Sequence, residues 1–142
     1  MKIVEFNKDR HYGKMCSFWK EYGWVPCPIN ALPKNGRVAE TDKGKFIAFM
    51  AIYIEPGTIA IIDWALANPS IDSEESQPAL RLIFYELIEL AKCQGCHYIY
   101  SFTKNRIWGN RLQSYGMIAA ERGATSYVLP LDGDEDVSFI SD

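Results

Sequence analysis

The chain lacks any unbroken apolar run of the roughly 18 residues that a membrane-spanning helix needs. It has no Lys or Arg after Leu131, where five of its 18 acidic residues lie, so the remainder carries 13 acidic against 15 basic residues. No concentrated basic stripe of the kind that binds nucleic acid occurs in it. We therefore expect no membrane and no nucleic-acid partner, and a weakly basic body suited to a small anionic ligand.

The first residues also lack the apolar run of a secretory signal, which predicts a cytoplasmic protein. A chain of 142 residues that is 48% hydrophobic can bury one substantial core. We therefore expect a single domain over residues 1–131. Residues 132–142, in which Asp132, Asp134 and Asp136 alternate with other residues, are expected to form an acidic, flexible and solvated tail without a bound metal.

Four cysteines allow two functional interpretations. The run Cys93-Gln94-Gly95-Cys96-His97 matches a haem-attachment pattern and also offers zinc ligands. Haem attachment of that type goes with export, and a closed zinc site needs further ligands from Cys16, Cys27 or His11. Free thiols are the favoured interpretation, with Gly95 ending the preceding helix.

The pattern of apolar residues predicts alternating strands and helices. Apolar residues recur at intervals of three and four positions from about Pro78 to Gln94, which indicates an amphipathic helix. They are Ala79, Leu80, Ile83, Phe84, Leu87, Ile88 and Ala91. The other predicted elements are strands over 2–6, 37–41, 46–54, 58–67, 97–102 and 124–131, and helices from Asn7 or Asp9 to about 22 and over 105–115. Strands on both sides of the central helix imply a crossover and a mixed α/β (α+β) sheet covered by helices.

This order of elements resembles that of the GNAT acyltransferases, which move an acyl group from acyl-CoA to an amine. In that family the penultimate strand is followed by Asn-x-x-Ala-x-x-x-Tyr-x-x-x-Gly-Phe. The same register here gives Asn105, Trp108, Leu112, Gly116 and Met117. The resemblance implies a mixed, mostly antiparallel central sheet with helices on both faces.

The chain also resembles a smaller group of GNAT-like proteins of phages and bacteria. The motifs that carry this likeness are Gly23-Trp24-Val25-Pro26, Leu32-Pro33-Lys34-Asn35-Gly36 and Asp63-Trp64-Ala65-Leu66-Ala67-Asn68-Pro69. Their order and spacing extend the resemblance over residues 2–131.

The resemblance implies acetyl-CoA as the acyl donor. Its pantetheine arm would lie against the splayed strand end at Leu66, Ala67 and Asn68, with further donor contacts from Ala79, Leu80, Arg81 and Asn105. The family holds the phosphates with a glycine-rich Arg/Gln-x-x-Gly-x-Gly/Ala loop, but the matching window here is Glu75-Ser76-Gln77-Pro78-Ala79-Leu80. None of the defining positions is kept, so we expect a degenerate phosphate loop. Arg81 is either a compensating cation or an ordinary solvent-facing residue.

Asp63 occupies the register at which many family members carry the Glu that receives the amine proton. A carboxylate among Ile61, Ile62 and Trp64 is also expected to have a raised pKa, which suits a base. A structural Asp is the alternative. The family's acid is a Tyr whose position here holds Leu112, and Tyr115, one turn further along, is the candidate that replaces it. Trp24 and Trp64 are candidate walls of an acceptor pocket.

Two functions follow. The first is an N-acetyltransferase acting on a small-molecule or protein amine, with Asp63 and Tyr115 as base and acid. The second is a non-catalytic binding or structural protein, such as a phage-encoded module, that keeps the fold without binding CoA. A homodimer or another protein partner stays open in both.

Overall fold

The computed structural model describes residues 1–131, so the predicted acidic tail, 132–142, lies outside the described residues. The chain divides into two compact units, Met1–Phe102 and a second that begins at Thr103. The single domain over 1–131 stays a prediction. None of the helices in the described part of the chain is long and apolar enough to cross a membrane.

Five strands form one sheet in the first unit. They are β1 (Lys2–Glu5), β2 (Gly36–Glu40), β3 (Phe46–Ile54), β4 (Ile59–Ala67) and β5 (Tyr98–Tyr100). Their order in the sheet is their order in the chain, and only β4 and β5 run parallel. This mixed, mostly antiparallel sheet confirms the predicted fold class.

Residues 1–131 contain three α-helices. A π-helical turn over Lys8–Tyr12 leads into α1 (Gly13–Glu21), and a short 3-10 turn covers Ile29–Ala31. The central helix α2 spans Ser73–Cys93, and α3 spans Arg106–Ser114 in the second unit. Asn7 begins the first helical segment, as predicted, because its side-chain oxygen accepts from the Arg10 N–H at 3.1 Å.

The two faces of the sheet pack against different helices. Met15 and Trp19 of α1 are buried in a cluster with Phe49, Ala51 and Leu66 of the strands. Because side chains alternate along a strand, the intervening residues of β3 point to the opposite face, where α2 packs on β3. The buried residues of α2 on that side are Ser76, Ala79, Leu80, Ile83, Phe84, Leu87 and Ala91.

The start of α2 differs from the prediction. We predicted a start near Pro78, but the helix begins at Ser73, and Pro78 lies inside it. The N–H groups of Glu75 and Ser76 both donate to the Asp72 carbonyl at 3.0 Å, which closes the first turn. Glu74 and Glu75 suit the positive end of the helix dipole, so the acidic run itself forms the first turn and the proline follows it.

The predicted last strand, 124–131, is wrong. No helix or strand follows Ser114 among the described residues. Tyr127 and Leu131 alternate as a strand pattern requires, but their exposed fractions are 89% and 87%. Local alternation alone does not form a strand, because the backbone groups also need a partner ladder, and this segment has none within residues 1–131.

Candidate active site on strand β4

A β-bulge interrupts β4 near its middle. Phe49 of β3 pairs with Leu66 and Ala51 pairs with Asp63, so two residues of β4 lie opposite a single residue of β3. Trp64, one of the two, has a φ of 60°, and no other non-glycine residue of the described chain has a positive φ. That conformation costs a residue with a side chain roughly 1–2 kcal/mol, so the surrounding contacts must hold it in place.

The Trp64 side chain is held by a hydrogen-bonded relay. Its indole Nε1 donates to the Tyr53 hydroxyl at 2.8 Å, and that hydroxyl donates to the Ala31 carbonyl at 2.8 Å. The indole also meets Trp19 edge to face, with ring centroids 6.2 Å apart. These contacts fix the bulge and therefore the residue before it.

Asp63 is that residue, and its carboxyl group is largely withdrawn from water. Its Oδ1 accepts from the Trp64 N–H at 2.7 Å. Burial raises the pKa of Asp63 above its usual value of 3.8, and the Trp64 hydrogen bond opposes the rise without cancelling it. A raised pKa increases the affinity of the carboxylate for a proton.

The groups around Asp63 stay neutral at ordinary pH. Burial, followed by the charge of Asp63, raises the pKa of the Cys27 thiol to about 12. Burial also raises the pKa of Tyr53 to about 12, although its hydrogen bond with Trp64 opposes that rise. Because a carboxyl group ordinarily titrates far below a thiol or a phenol, Asp63 is the group of this cluster best suited to accept a proton.

The edge of β4 next to Asp63 is open. β5 pairs only with Ile59, Ala60 and Ile61, and within Met1–Phe102 no strand pairs with the rest of β4 on that side. The residues predicted to contact the acyl donor, Leu66, Ala67 and Asn68, lie at the end of this strand. Leu66 is buried in the core. Asn68 donates its side-chain amide to the Phe46 carbonyl at 2.9 Å and accepts from the Ser70 N–H at 2.9 Å, so its side chain fixes the strand end.

The start of α2 fits a diphosphate poorly. Glu74 and Glu75 are exposed in the first turn, and no basic residue lies there. Two of the first N–H groups already bond the Asp72 carbonyl. Each carboxylate would repel a phosphate by about 1 kcal/mol or more at close range.

The remaining donor residues predicted on α2 lie further along it. Ala79 and Leu80 are buried on the face toward the sheet. Arg81 lies eight residues after Ser73, about 12 Å along the axis, rather than one turn into the helix. Its guanidinium contacts the Tyr85 hydroxyl at 3.4 Å and lies 5.7 Å from the centre of that ring.

The second unit holds two predicted site residues. Asn105 caps α3, because its side-chain oxygen accepts from the Trp108 N–H at 2.9 Å. Tyr115 ends the helix, half-buried, with its ring edge to face with Trp108 at 6.1 Å. Asn105 therefore has a structural role, and Tyr115 stays a candidate.

An aromatic loop follows α1. Trp24, a predicted acceptor contact, is 48% exposed and stacks on Tyr22 with ring centroids 4.5 Å apart. The Tyr22 hydroxyl donates to the carbonyl of Ala67, the last residue of β4, at 2.8 Å. The sequence has no periodic signal for this contact, because it joins the end of α1 to the end of β4, 45 positions further along the chain.

A shallow hollow of about 210 Å³ lies near the start of β4. It is lined by Tyr53, Ile54, Glu55, Ile59 and Ile61. Tyr53 and Ile61 form a cross-strand pair next to the pair of Ala51 and Asp63 on the same face of the sheet. The hollow therefore shares a face of the sheet with Asp63, which is not in its lining, and it is mostly apolar with one acidic residue among its lining residues.

Comparison with known proteins shows the fold. No protein-family model matches the chain, and no curated protein matches it. Among solved structures, glucosamine-6-phosphate N-acetyltransferase from Arabidopsis thaliana is 13% identical, with a TM-score of 0.67 over 89% of this chain and 97% of its own. An aminoglycoside 6′-N-acetyltransferase from Acinetobacter baumannii is 18% identical, with a TM-score of 0.61 over 91% and 98%.

A transcriptional regulator from Bacillus halodurans is also similar, at 17% identity and a TM-score of 0.68 over 89% of this chain and 99% of its own. At such low identity these likenesses show a shared architecture and no more. The chain has the GNAT fold, as the sequence motifs predict.

Proposed function

We propose that this chain is an acyl-CoA-dependent N-acyltransferase in which Asp63 receives the proton of the amine acceptor. The observation that carries the proposal is the bulge of β4, which brings a half-buried carboxyl of raised pKa next to an open strand edge. The positive φ of Trp64 supports it, because backbone strain of this kind is concentrated at functional sites.

The donor supplies an acyl group activated as a thioester. As the acceptor nitrogen bonds to the acyl carbon, the carbon–sulfur bond breaks, the amine loses a proton and the sulfur gains one. Asp63 takes the first proton, which its pKa favours. We assign the second to Tyr115 on the resemblance alone.

The acyl donor fits one part of the site better than the other. The backbone of Ala67 at the open edge suits the amides of a pantetheine arm, because it presents an N–H and a carbonyl side by side. The acidic first turn of α2 does not suit the diphosphate. We therefore propose a donor bound mainly through β4, with a degenerate phosphate loop.

The acceptor is proposed to be a small amine with an apolar body. The hollow on the same face of the sheet as Asp63 has mostly apolar walls, and the carboxylate of Glu55, one of its lining residues, suits an ammonium group. Trp24 and Trp64 are proposed to bound the acceptor, Trp24 through its exposed ring. A protein amine or a protein partner would need a larger surface than this hollow provides.

Calorimetric titration with acetyl-CoA, together with the shift in melting temperature, tests the proposal. Saturable binding with a stabilised fold is the expected result. Asp63→Asn should then keep the affinity for acetyl-CoA and slow the transfer to a primary amine at least a hundredfold, the usual contribution of general-base catalysis. The matched change Asp42→Asn, at a side chain that is 91% exposed, should leave the rate unchanged.

The acidic start of α2 favours a second candidate function, a binding protein that keeps the fold without CoA. Absence of heat and of any melting shift up to millimolar acetyl-CoA would support this candidate and refute the enzyme. If acetyl-CoA binds but Asp63→Asn transfers at the wild-type rate, Asp63 is not the base.

A further inference from the structure

The last residue of β4 presents both of its backbone groups to the open edge. The Asn68 N–H donates to the Ile47 carbonyl of the neighbouring strand segment at 2.8 Å. Ala67, which pairs with Ala48, is therefore in a non-hydrogen-bonded position of the antiparallel ladder. Its N–H and carbonyl point away from β3, toward the side on which β5 has already ended.

Tyr22 occupies this position. Its hydroxyl donates its single proton to the Ala67 carbonyl at 2.8 Å, and its ring is stacked on Trp24 with an interplanar angle of 18°. The residue lies at the C-terminal end of α1, so a helix of the core fixes its backbone. Burial raises the pKa of Tyr22, which keeps the phenol protonated and able to donate.

We propose that the Tyr22 hydroxyl is an internal competitor for the part of the β4 edge that receives the amide arm of the donor. This inference rests on the proposed function. An amide N–H of the donor that pairs with the Ala67 carbonyl approaches the oxygen to which the phenol is already bonded, from the same open side of β4. The arm therefore binds most tightly when Tyr22 turns away, and the free energy of its hydrogen bond is subtracted from the donor affinity.

The competition is specific for the arm. A ligand that carries the phosphates and adenosine but no pantetheine, such as adenosine 3′,5′-bisphosphate, has no amide to place at Ala67. Removing the hydroxyl with Tyr22→Phe keeps the ring and its stacking on Trp24. It should raise the affinity for CoA about two- to tenfold, the range given by one neutral hydrogen bond. The affinity for the bisphosphate should not change.

Tyr12→Phe is the matched control. The Tyr12 hydroxyl also donates to a backbone carbonyl at 2.7 Å, but that carbonyl belongs to Cys27 and not to a residue of β4. It should lower stability by an amount similar to Tyr22→Phe and leave CoA affinity unchanged. The measurement is calorimetric titration of the wild type and both variants with CoA and with adenosine 3′,5′-bisphosphate, with thermal unfolding of each protein alongside.

The outcomes separate this inference from the proposed function. Tighter CoA binding by Tyr22→Phe alone, without a change for the bisphosphate, supports the competition. Equal CoA affinity of Tyr22→Phe and the wild type overturns it and leaves the acyltransferase intact. Binding of CoA by none of the three proteins refutes both, and an equal gain for CoA and the bisphosphate assigns Tyr22 to a general effect on the fold.

Discussion

Asp63→Asn should stabilise the protein at neutral pH while removing its proposed base. Burial raises the pKa of Asp63 in the folded state above its unfolded value of 3.8, so folding favours the protonated carboxyl. Its contribution to stability is complete below pH 3.8 and is lost as the pH rises through the folded pKa. At pH 7 the ionised form is a cost, at about 1.4 kcal/mol for each unit by which the pKa is raised.

Asparagine resembles the protonated carboxyl and still accepts from the Trp64 N–H, which now donates to Asp63 at 2.7 Å. The variant should therefore gain about 1.4 kcal/mol in the free energy of unfolding at pH 7 for each unit by which the pKa is raised. For a chain of this length each kcal/mol raises the melting temperature by roughly 2–4 °C. The gain should disappear as the pH approaches 3.8.

Urea unfolding of the wild type, Asp63→Asn and Asp42→Asn between pH 4 and pH 7.5 measures this difference. Asp42 undergoes the same chemical change at an exposed site, so its variant should stay within about 0.5 kcal/mol of the wild type. A lower stability of Asp63→Asn at pH 7, with a pH dependence parallel to that of the wild type, would refute the reasoning. The carboxylate would then be a stabilising structural group.

Three further changes test other parts of the structure. Gly36→Ala should lower the free energy of unfolding in urea by about 1–3 kcal/mol, because its Cβ would lie 2.7 Å from Cε2 of Phe49; a neutral result would show that the strand can shift. Burial lowers the pKa of His11 from 6.5, so the contribution of this residue to stability should be complete above pH 6.5 and should fall as the pH drops below it. His11→Gln should remove this pH dependence of the melting temperature. Replacing Glu74 and Glu75 together by Gln should tighten acetyl-CoA binding about fivefold or more at low salt and weaken α2 by about 0.3–1 kcal/mol per residue; an unchanged affinity in calorimetry would place the phosphates elsewhere.

Much of the fold was predictable because its strands and helices have strong local patterns. The longest strands and helix α2 can be recognised from short stretches of sequence, because their patterns involve residues that are close together in the chain. Strand β3 has the bounds that the sequence predicts, Phe46–Ile54. Gly36, one residue of a motif that suggested the family, is explained by its packing against Phe49 and Phe6. Such close approaches between strands leave a glycine in the sequence as a visible sign.

The features that failed depend on pairing. The last predicted strand had the right alternation, yet no partner ladder forms within the described residues. The bulge was also hidden, because one extra residue between Asp63 and Leu66 appears only when β4 is aligned with β3. Tryptophan rarely adopts a positive φ, so the sequence of β4 alone could not predict this conformation at Trp64.

The candidate site was predictable in part. The register that the family resemblance gave for Asp63 selected a residue whose raised pKa suits a base, which stays a proposal until tested. The hydrogen bond from Tyr22 to Ala67 could not be predicted, since it joins the end of a helix to the end of a strand 45 positions further along the chain. The start of α2 was misplaced because Pro78 was taken as a helix start signal, whereas the helix begins five residues before the proline.

The acidic start of α2 and the bulge of β4 have opposite effects on the stability of the fold, and this difference bears on function. The acidic first turn of α2 stabilises its helix through the dipole, so folding alone accounts for Glu74 and Glu75. Asp63 and Trp64 lower stability at neutral pH, one through a half-buried carboxyl of raised pKa and the other through a positive φ. Strain of this kind is concentrated at functional sites. The strain on β4 is therefore the stronger sign of a functional site, whereas the helix dipole alone explains the acidic start of α2.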